Sequence, residues 1–402
     1  MAEVTNYIDR LVAELCPDGV EYRPIEELFT TRNGYTPSKS NSSYWENGTV
    51  PWFRMEDIRE NGGVLSEAMQ SVHESALKKG GMFPAGSIIV ATSATIGEHA
   101  LINVDFLCNQ RFTVLILKDE FKNLLSPKFI YYYSFILDRW CLSNTTQSSF
   151  ASVDMKRFKK FEFPVPPLEI QEAIVEILDK FTNLEAELEA ELEARTLQYE
   201  YYRDLLFEAL DCPRVPLGSL GVRNKGIAIT ASKMRTLEPG NKDVRIFAAG
   251  STFVDTDSSF IPDKGILEGP AIIVKSRGHI GFEYYEGKFT HKNELWSYSL
   301  TSDLVEQKFI YYYLLTQAYH LHELARGKSV KLPQLAVKDT DELLVPLPSL
   351  EEQQRIVDIL DRFDALTSSL SEGLPAELAA RRSQYEYYRD RLLTFPRKGE
   401  NQ

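Results

Sequence analysis

The chain has 402 residues, 43% hydrophobic and 26% charged, enough apolar content for two cores of ordinary domain size. Its formal net charge of -13 excludes a uniformly basic nucleic-acid coat, and no apolar run approaches the roughly 18 residues that span a bilayer. Four cysteines with no CxxC pair, and no clustering with the six histidines, indicate neither a zinc site nor a disulfide frame.

In chain order, residues 1–20 open with Tyr7, Ile8, Leu11, Val12 and Leu15 at helical spacing, ending at Cys16-Pro17. Met1 to Arg10 shows no basic segment leading into an apolar block, so a cytoplasmic protein is expected. Residues 21–165 read as a mixed domain, in which Gly86, Ser87, Ile88, Ile89 and Val90 form a buried strand after a glycine turn. The string Lys128, Phe129, Ile130, Tyr131, Tyr132, Tyr133 reads as helical and core-facing. The exit Phe163, Pro164, Val165, Pro166, Pro167, Leu168 stops a strand and sets the angle of the next helix.

Residues 166–211 form a long helix whose Ile170, Ile174, Ile177, Phe181, Leu184 and Leu188 step by four and three, continued by Leu192, Tyr199, Tyr202 and Leu206. The simplest closure of this narrow seam is a partner helix, with docking on the domain surface as the alternative. The alternation Glu185, Glu187, Glu189, Glu191, Glu193 reads as a solvated face rather than a row of catalytic acids.

The second half repeats the first. Cys212-Pro213 leads to a domain over 212–347, Lys308 to Tyr313 repeats Lys128 to Tyr133 letter for letter, and Gln384 to Asp390 repeats Gln198 to Asp204. Gly269 to Val274 matches the Gly86 strand, and Thr230, Ser232, Lys233, Val244 and Phe247 match Thr36, Ser38, Lys39, Val50 and Phe53 at a constant shift of 194. The exit Val345-Pro346-Leu347-Pro348 opens a second helix over 348–396, with Ile356, Ile359, Phe363, Leu366, Leu370, Leu374, Leu378, Tyr385, Tyr388 and Leu392 on its seam, before a tail over 397–402. Copies 180 to 186 residues apart are too long for solenoid units, so each is a domain plus a helix. The expected fold is α+β: two similar domains joined by two long helices paired as an antiparallel coiled coil, with a pseudo-twofold internal repeat. About 35 helical residues at 1.5 Å each would make a spacer of roughly 50 Å. From Phe363 to Tyr385 there are four more residues than from Phe181 to Tyr199, which predicts either one further turn or a break at Gly373 and Pro375. The two chain ends are expected to meet, making the repeat cyclic.

Charge is unevenly placed. Residues 161–212 carry -11, while 21–160 and 213–343 carry +1 and +2, so the acid sits on the first long helix and the domains are free to present basic loops. No GxxxxGK[ST] phosphate loop and no dinucleotide fingerprint occurs, and no catalytic residue is visible. What remains are loops with cationic, amide and hydroxyl side chains, the types that read base edges and phosphates. The candidates for DNA contact are Lys39, Arg54, Ser93, Asn109, Gln110, Arg111 and Gln147 in the first domain. In the second they are Lys233, Arg235, Lys275, Arg277, His279, Lys292, Lys328 and Lys331.

With these pieces in place, the chain resembles the specificity subunits of type I restriction-modification enzymes. The resemblance rests on Thr36-Pro37-Ser38 leading to Val50-Pro51-Trp52, on Asn109-Gln110, and on the two proline exits followed by Leu168-Glu169-Ile170-Gln171 and Leu350-Glu351-Glu352-Gln353. It implies two target-recognition domains, each reading half of a split double-stranded DNA sequence, held apart by the paired helices. It further implies two methyltransferase subunits docked on this frame, with Tyr199, Tyr202, Tyr385 and Tyr388 as expected partner contacts, and restriction subunits beyond them. S-adenosylmethionine, ATP and magnesium would serve those partners, with no cofactor, metal or membrane for this chain. Ala231 replaces the proline matching Pro37, and Lys292-Asn293-Glu294 stands where the second domain would carry the Asn-Gln pair. A type II recognition subunit with a separate specificity chain, or a coiled-coil scaffold for proteins alone, remain the alternatives.

Overall fold

The computed structural model describes residues 2–146, 151–237, 242–327, 332–368 and 373–399. It divides into two compact units, Met1–Glu187 with Ala379–Gln402, and Leu188–Leu378.

In the first unit the apolar run Ser87–Ala91 is buried along its whole length, as a strand covered on both faces must be. It lies at the centre of a five-stranded sheet in the order Phe29–Asn33, Phe112–Leu117, Ser87–Ala91, His99–Ile102, Val64–Leu65. Gly86, at φ +80°, makes the left-handed turn into that strand. Beside it stands a three-stranded sheet, Ser71–Val72, Val50–Phe53, Leu107–Cys108, the last pair parallel. The helix Pro127–Ser143 starts with proline in its first turn and buries Phe129, Ile130, Tyr132 and Tyr133, so the tyrosine string is core.

The second unit repeats this order without a counterpart of the edge strand Val64–Leu65. Its four-stranded sheet runs Gly221–Lys225, Trp296–Leu300, Ala271–Lys275, Gly281–Tyr285, and its three-stranded sheet Phe253–Thr256, Val244–Phe247, Phe289–His291, again with a parallel last pair. The helix Gln307–Gly327 buries Phe309, Ile310, Tyr312 and Tyr313. Each proline exit is a short strand that zips onto the first strand of its own domain. Tyr22 faces Pro164, and Arg214 faces Pro346.

The helix Leu168–Glu208 and the pair Leu350–Thr367 and Gly373–Leu392 complete the frame. Within the first unit Phe181 stacks on Tyr388 at 5.9 Å and lies 6.3 Å from Tyr385, while Glu185 pairs with Arg382 at 2.6 Å. Residue numbers rise on one helix as they fall on the other, so the pairing is antiparallel. Within the second unit Tyr199 and Tyr202 take the equivalent places around Phe363, at 6.3 and 6.4 Å. The second helix is described in two segments, one ending at Thr367 and the other beginning at Gly373, which has φ +76°, outside the helical range, and sits where a Cβ would lie 2.5 Å from the Ala365 carbonyl oxygen; residues 369–372 lie outside the described residues. Leu370, expected on the seam, lies outside the described residues. The chain ends meet in the first unit: Val20 N donates to Pro396 O at 2.8 Å, and Lys398 N to Val20 O at 3.0 Å.

Two repeated clasps fasten domain to helix. Gln171, fully buried, donates to the carbonyls of Leu124 and Pro166, both at 2.7 Å, and accepts from Ser126 N at 2.9 Å. Gln353, also fully buried, donates to Leu304 O and Pro348 O at 3.0 and 2.9 Å and accepts from Glu306 N at 2.8 Å. Eight residues further along each helix, one aspartate takes a lysine and a tyrosine together. Asp179 accepts from Lys128 and Tyr132 at 2.5 and 2.6 Å, and Asp361 from Lys308 and Tyr312 at 2.8 and 2.5 Å.

Replacing Gln171 by leucine strands one N–H and two carbonyls in the interior, at about 1–3 kcal/mol for each unsatisfied group. Gln171→Leu is therefore expected to destabilise the first unit by about 3 kcal/mol or more and Gln353→Leu the second by a like amount, read by denaturant unfolding. Asp179→Asn, at a half-exposed pair, should cost about 1 kcal/mol or less. Equal stability of Gln171→Leu and the parent would show that the amide does not hold helix to domain.

Candidate nucleic-acid interface

The sheet geometry gathers the polar loops of the first domain along one edge. Asn109 N donates to Phe53 O at 3.1 Å, which sets Asn109 beside Arg54, and Asn109 Oδ1 accepts from Arg111 N at 2.9 Å in a side-chain-closed turn. The Thr36 hydroxyl donates to Gln110 Oε1. Thr92 N donates to Arg111 O at 3.0 Å, Ser93 bridges to Ser152, and Thr146 Oγ1 donates to Ser152 O at 3.1 Å. Lys39, Gln110 and Arg111 are exposed, Arg54, Ser93 and Asn109 half-buried. The edge thus brings together all the first-domain candidates except Gln147, which lies outside the described residues.

The second domain builds the same edge with other side chains. Lys292 N donates to Phe247 O at 3.0 Å, so Lys292, Asn293 and Glu294 stand where Asn109, Gln110 and Arg111 stand in the first. The close approach of the neighbouring loop is also repeated. A Cβ on Gly34 would lie 2.2 Å from Asn109 O, and one on Gly226 2.3 Å from Lys292 O. Lys233 and Arg235 are exposed on the short helix Ala231–Thr236, whose cap is Thr230. Arg277 and His279 are exposed, with Arg277 bridged to Gln334 and the His279 ring 6.3 Å from His322. Lys292 is drawn into an ion pair with Glu294 at 2.5 Å. Lys328 and Lys331 lie outside the described residues.

Two expectations need correction. Lys275 is not a loop cation: it ends a central strand, is 6% exposed, pairs with Glu283 at 3.0 Å and lies 4.8 Å from the centre of the Phe247 ring. Tyr199, Tyr385 and Tyr388 do not project toward a partner but pack on Phe363 and Phe181 in the helix seam. Tyr202 also meets Phe363, although it stays 42% exposed. The tyrosines that do point outward are the middle ones of each repeated string, Tyr201 at 64% and Tyr387 at 60% exposed. Helical phase carried that signal, since a residue two positions from Tyr199 falls about 200° around the helix.

Burial pushes the Cys108 thiol far up and that of Cys141 up to about 12, so neither is a nucleophile at neutral pH. Burial lowers the His291 pKa, leaving a neutral imidazole that faces Ser297 Oγ at 3.2 Å. Among the described residues no group of three or more His, Cys, Asp or Glu could hold a metal, and no helix is long and apolar enough to cross a membrane.

Residues 17–194 and 222–380 both match the type I restriction modification DNA specificity domain. The chain belongs to that family. Each of its two specificity domains takes in one mixed domain and helical sequence beyond it. The chain is 39% identical over 387 residues to the specificity subunit of the type I restriction enzyme EcoprrI of Escherichia coli, covering 91% of this chain and 92% of that one. It is 34% identical over 310 residues to the EcoR124I/EcoR124II specificity subunit of the same organism, covering 69% and 73%. Among solved structures, a chain from a study of assembly and conformational transition in the type I system aligns with TM-score 0.64 at 17% identity, over 93% of this chain and 97% of that one. The S subunit of a type I system from M. genitalium aligns with TM-score 0.51 at 19% identity, over 94% and 96%. These likenesses support the fold of two specificity domains on paired helices, and none favours a type II subunit or a general protein scaffold.

In this specificity-family chain the tight glycines are a test of the shared edge. Gly34→Ala and Gly226→Ala each force a methyl into backbone oxygens that cannot swing aside, at about 1–3 kcal/mol or more. Each is expected to lower the melting temperature of its own unit; an unchanged melting profile would mean that the loops sit further apart.

Proposed function

We propose that this chain is the non-catalytic DNA-sequence-recognition subunit of a type I restriction-modification complex, each mixed domain reading one half of a split target. The observation that carries this reading is one loop frame built twice and furnished differently: Asn109-Gln110-Arg111 on the first edge, Lys292-Asn293-Glu294 on the second. Asparagine and glutamine suit adenine and arginine suits guanine in the major groove, while lysines and hydroxyls serve phosphates. A frame held by backbone hydrogen bonds tolerates such exchange without refolding.

Methyl transfer from S-adenosylmethionine, and ATP- and magnesium-dependent cleavage, fall to partner subunits in this reading. The paired helices act as the spacer and as the docking surface for two methyltransferase copies, one per repeat. Tyr201 and Tyr387 support that arrangement, since each repeat turns the same large aromatic residue to solvent.

Exchanging residues 21–165 for those of another specificity subunit is expected to change one half-site and leave the other intact, read by mapping methylated adenines in DNA from cells carrying the assembled complex. Gln110→Ala should cost about 1–3 kcal/mol and relax one base position in the same half-site. A change in both halves, or in neither, defeats the assignment. Tyr201→Ala and Tyr387→Ala should each weaken capture of one methyltransferase copy, seen as a loss of mass of the assembled complex, without lowering the stability of the free chain. Unaltered assembly by the double variant would place docking elsewhere.

A further inference from the structure

The first domain carries a concave site that its edge loops do not require. A cavity of about 460 Å³ is lined by Lys39, Trp45, Glu46, Trp52, Arg54 and Gln70. The two indoles meet edge to face, with centroids 5.0 Å apart and planes at 83°, forming an aromatic corner. Both indole N–H groups are already used, Trp45 donating to Ser38 O at 3.1 Å and Trp52 to Tyr35 O at 3.0 Å, and Trp52 is buried, so the site offers the half-buried ring of Trp45, backed by Trp52, and no indole donor. Polar groups stand around it. The Arg54 guanidinium is 5.8 Å from the centre of the Trp52 ring, its Nε is buried without a hydrogen bond, and its contacts with Glu56 and Asp57 are long, at 4.0 and 3.9 Å. Lys39 is exposed on the rim.

The wall is pre-organised. Asp57, fully buried, accepts from Arg54 N at 2.7 Å and from Met69 N at 2.6 Å, tying the arginine and the Gln70 segment to one carboxylate. Trp52 N donates to Gln70 O at 2.9 Å. The second domain does not repeat this chemistry. On its matching strand Ile246 and Ala248 replace Trp52 and Arg54, and Lys275, in place of Ala91, donates to Ala248 O at 3.3 Å.

We infer that this cavity receives a single deoxynucleotide unstacked from the half-site bound by the first domain, its base against the Trp45 ring and its phosphate toward Lys39 and Arg54. The inference rests on the DNA-reading function proposed above. Loops that read base edges in an intact duplex need only a convex edge. An open aromatic hollow with cations on its rim suits a base that has left the stack, because ring-on-ring contact there replaces the stacking given up in the duplex. Gln70 and Glu46 place an amide and a carboxylate where an exposed Watson–Crick edge would be met. Arg54 is set beside Asn109 by the Asn109–Phe53 hydrogen bond, so the cavity opens next to the reading loop.

The test uses the full-length chain assembled with its methyltransferase partner and the duplex it selects from a random pool. Trp45→Ala and Arg54→Gln are each expected to weaken binding of that duplex about tenfold, the scale of one base-to-aromatic contact. Duplexes abasic at one position after another are then compared. At a single position in one half-site the parent should lose its advantage over Trp45→Ala, and 5-iododeoxyuridine at that position should photocrosslink to Trp45 or Trp52. A Trp45→Ala penalty that persists on every abasic duplex, or no penalty at all while the parent still binds its selected site, overturns the pocket and leaves DNA reading intact. If the assembled parent selects no duplex, it is the underlying function that fails. Because Trp52 is core and its loss would unfold the domain, Gln70→Ala serves as the second base-side variant, with the same position-specific loss expected, whereas Lys39→Ala, on the phosphate, should keep its penalty on the duplex abasic at that position.

Discussion

The buried amides of Gln171 and Gln353 are the contact on which the rest of the molecule depends. An amide with no access to water must satisfy its donors and acceptor inside the protein, and each of these does so against three backbone groups, in the proline exit and in the turn before the domain's long helix. Such a group has essentially one orientation. It fixes the first turn of the long helix against the domain, and the aspartates eight residues on, Asp179 and Asp361, fix its fourth turn through a lysine and a tyrosine each. Two points of attachment on one helix face define an axis, whereas an apolar stripe alone permits sliding and rotation.

This arrangement explains which residues repeat letter for letter and which do not. In Lys-Phe-Ile-Tyr-Tyr-Tyr the phenylalanine, isoleucine and last two tyrosines are core and the lysine is a clasp. In Gln-Tyr-Glu-Tyr-Tyr-Arg-Asp the first and last tyrosines sandwich a phenylalanine of the facing helix, and Arg203 and Arg389 lie 5.7 and 5.4 Å from the first tyrosine's ring centre. The edge loops are anchored to the strand through backbone amides and carbonyls and through glycines that admit no side chain, so that anchoring does not depend on which side chains the loops carry. The acidic stretch along the first long helix fits the same division. Its carboxylates are screened by water on a helix face and lie outside the near-neutral domains that would approach phosphate.

Much of this architecture was legible in the sequence. The long repeat separation demanded two domains, the glycine-led apolar run demanded a buried strand, and the four-three stepping of Ile170 to Leu188 pointed to a partner helix. What could not be read were properties of side-chain direction and of pairs. Lys275 looks like a loop cation because its strand ends in a charge, yet Glu283 on the neighbouring strand draws it inward. The four additional residues of the second helix could have added a turn; the left-handed φ of Gly373 and its closeness to the Ala365 carbonyl instead interrupt the helix at that glycine. Gln171 and Gln353 stood in the sequence as motif letters with no chemistry attached, because their partners are backbone groups that sequence does not display.

The asymmetry between the two edges arises from where the frame permits change. At the matched strand the frame fixes Phe53 and Phe247, both fully buried, and each accepts a hydrogen bond from the edge loop through its carbonyl. The positions on either side of that phenylalanine are not held in this way. Trp52 and Arg54 line an aromatic, cationic corner in one domain; in the other, Ile246 and Ala248 are buried and Lys275 donates to the Ala248 carbonyl. A single strand therefore separates a constant residue that holds the loop from variable neighbours that shape what the loop can touch. Duplication of such a strand gives two readers whose scaffolds are interchangeable and whose contacts are not, which is the property a split, asymmetric target requires.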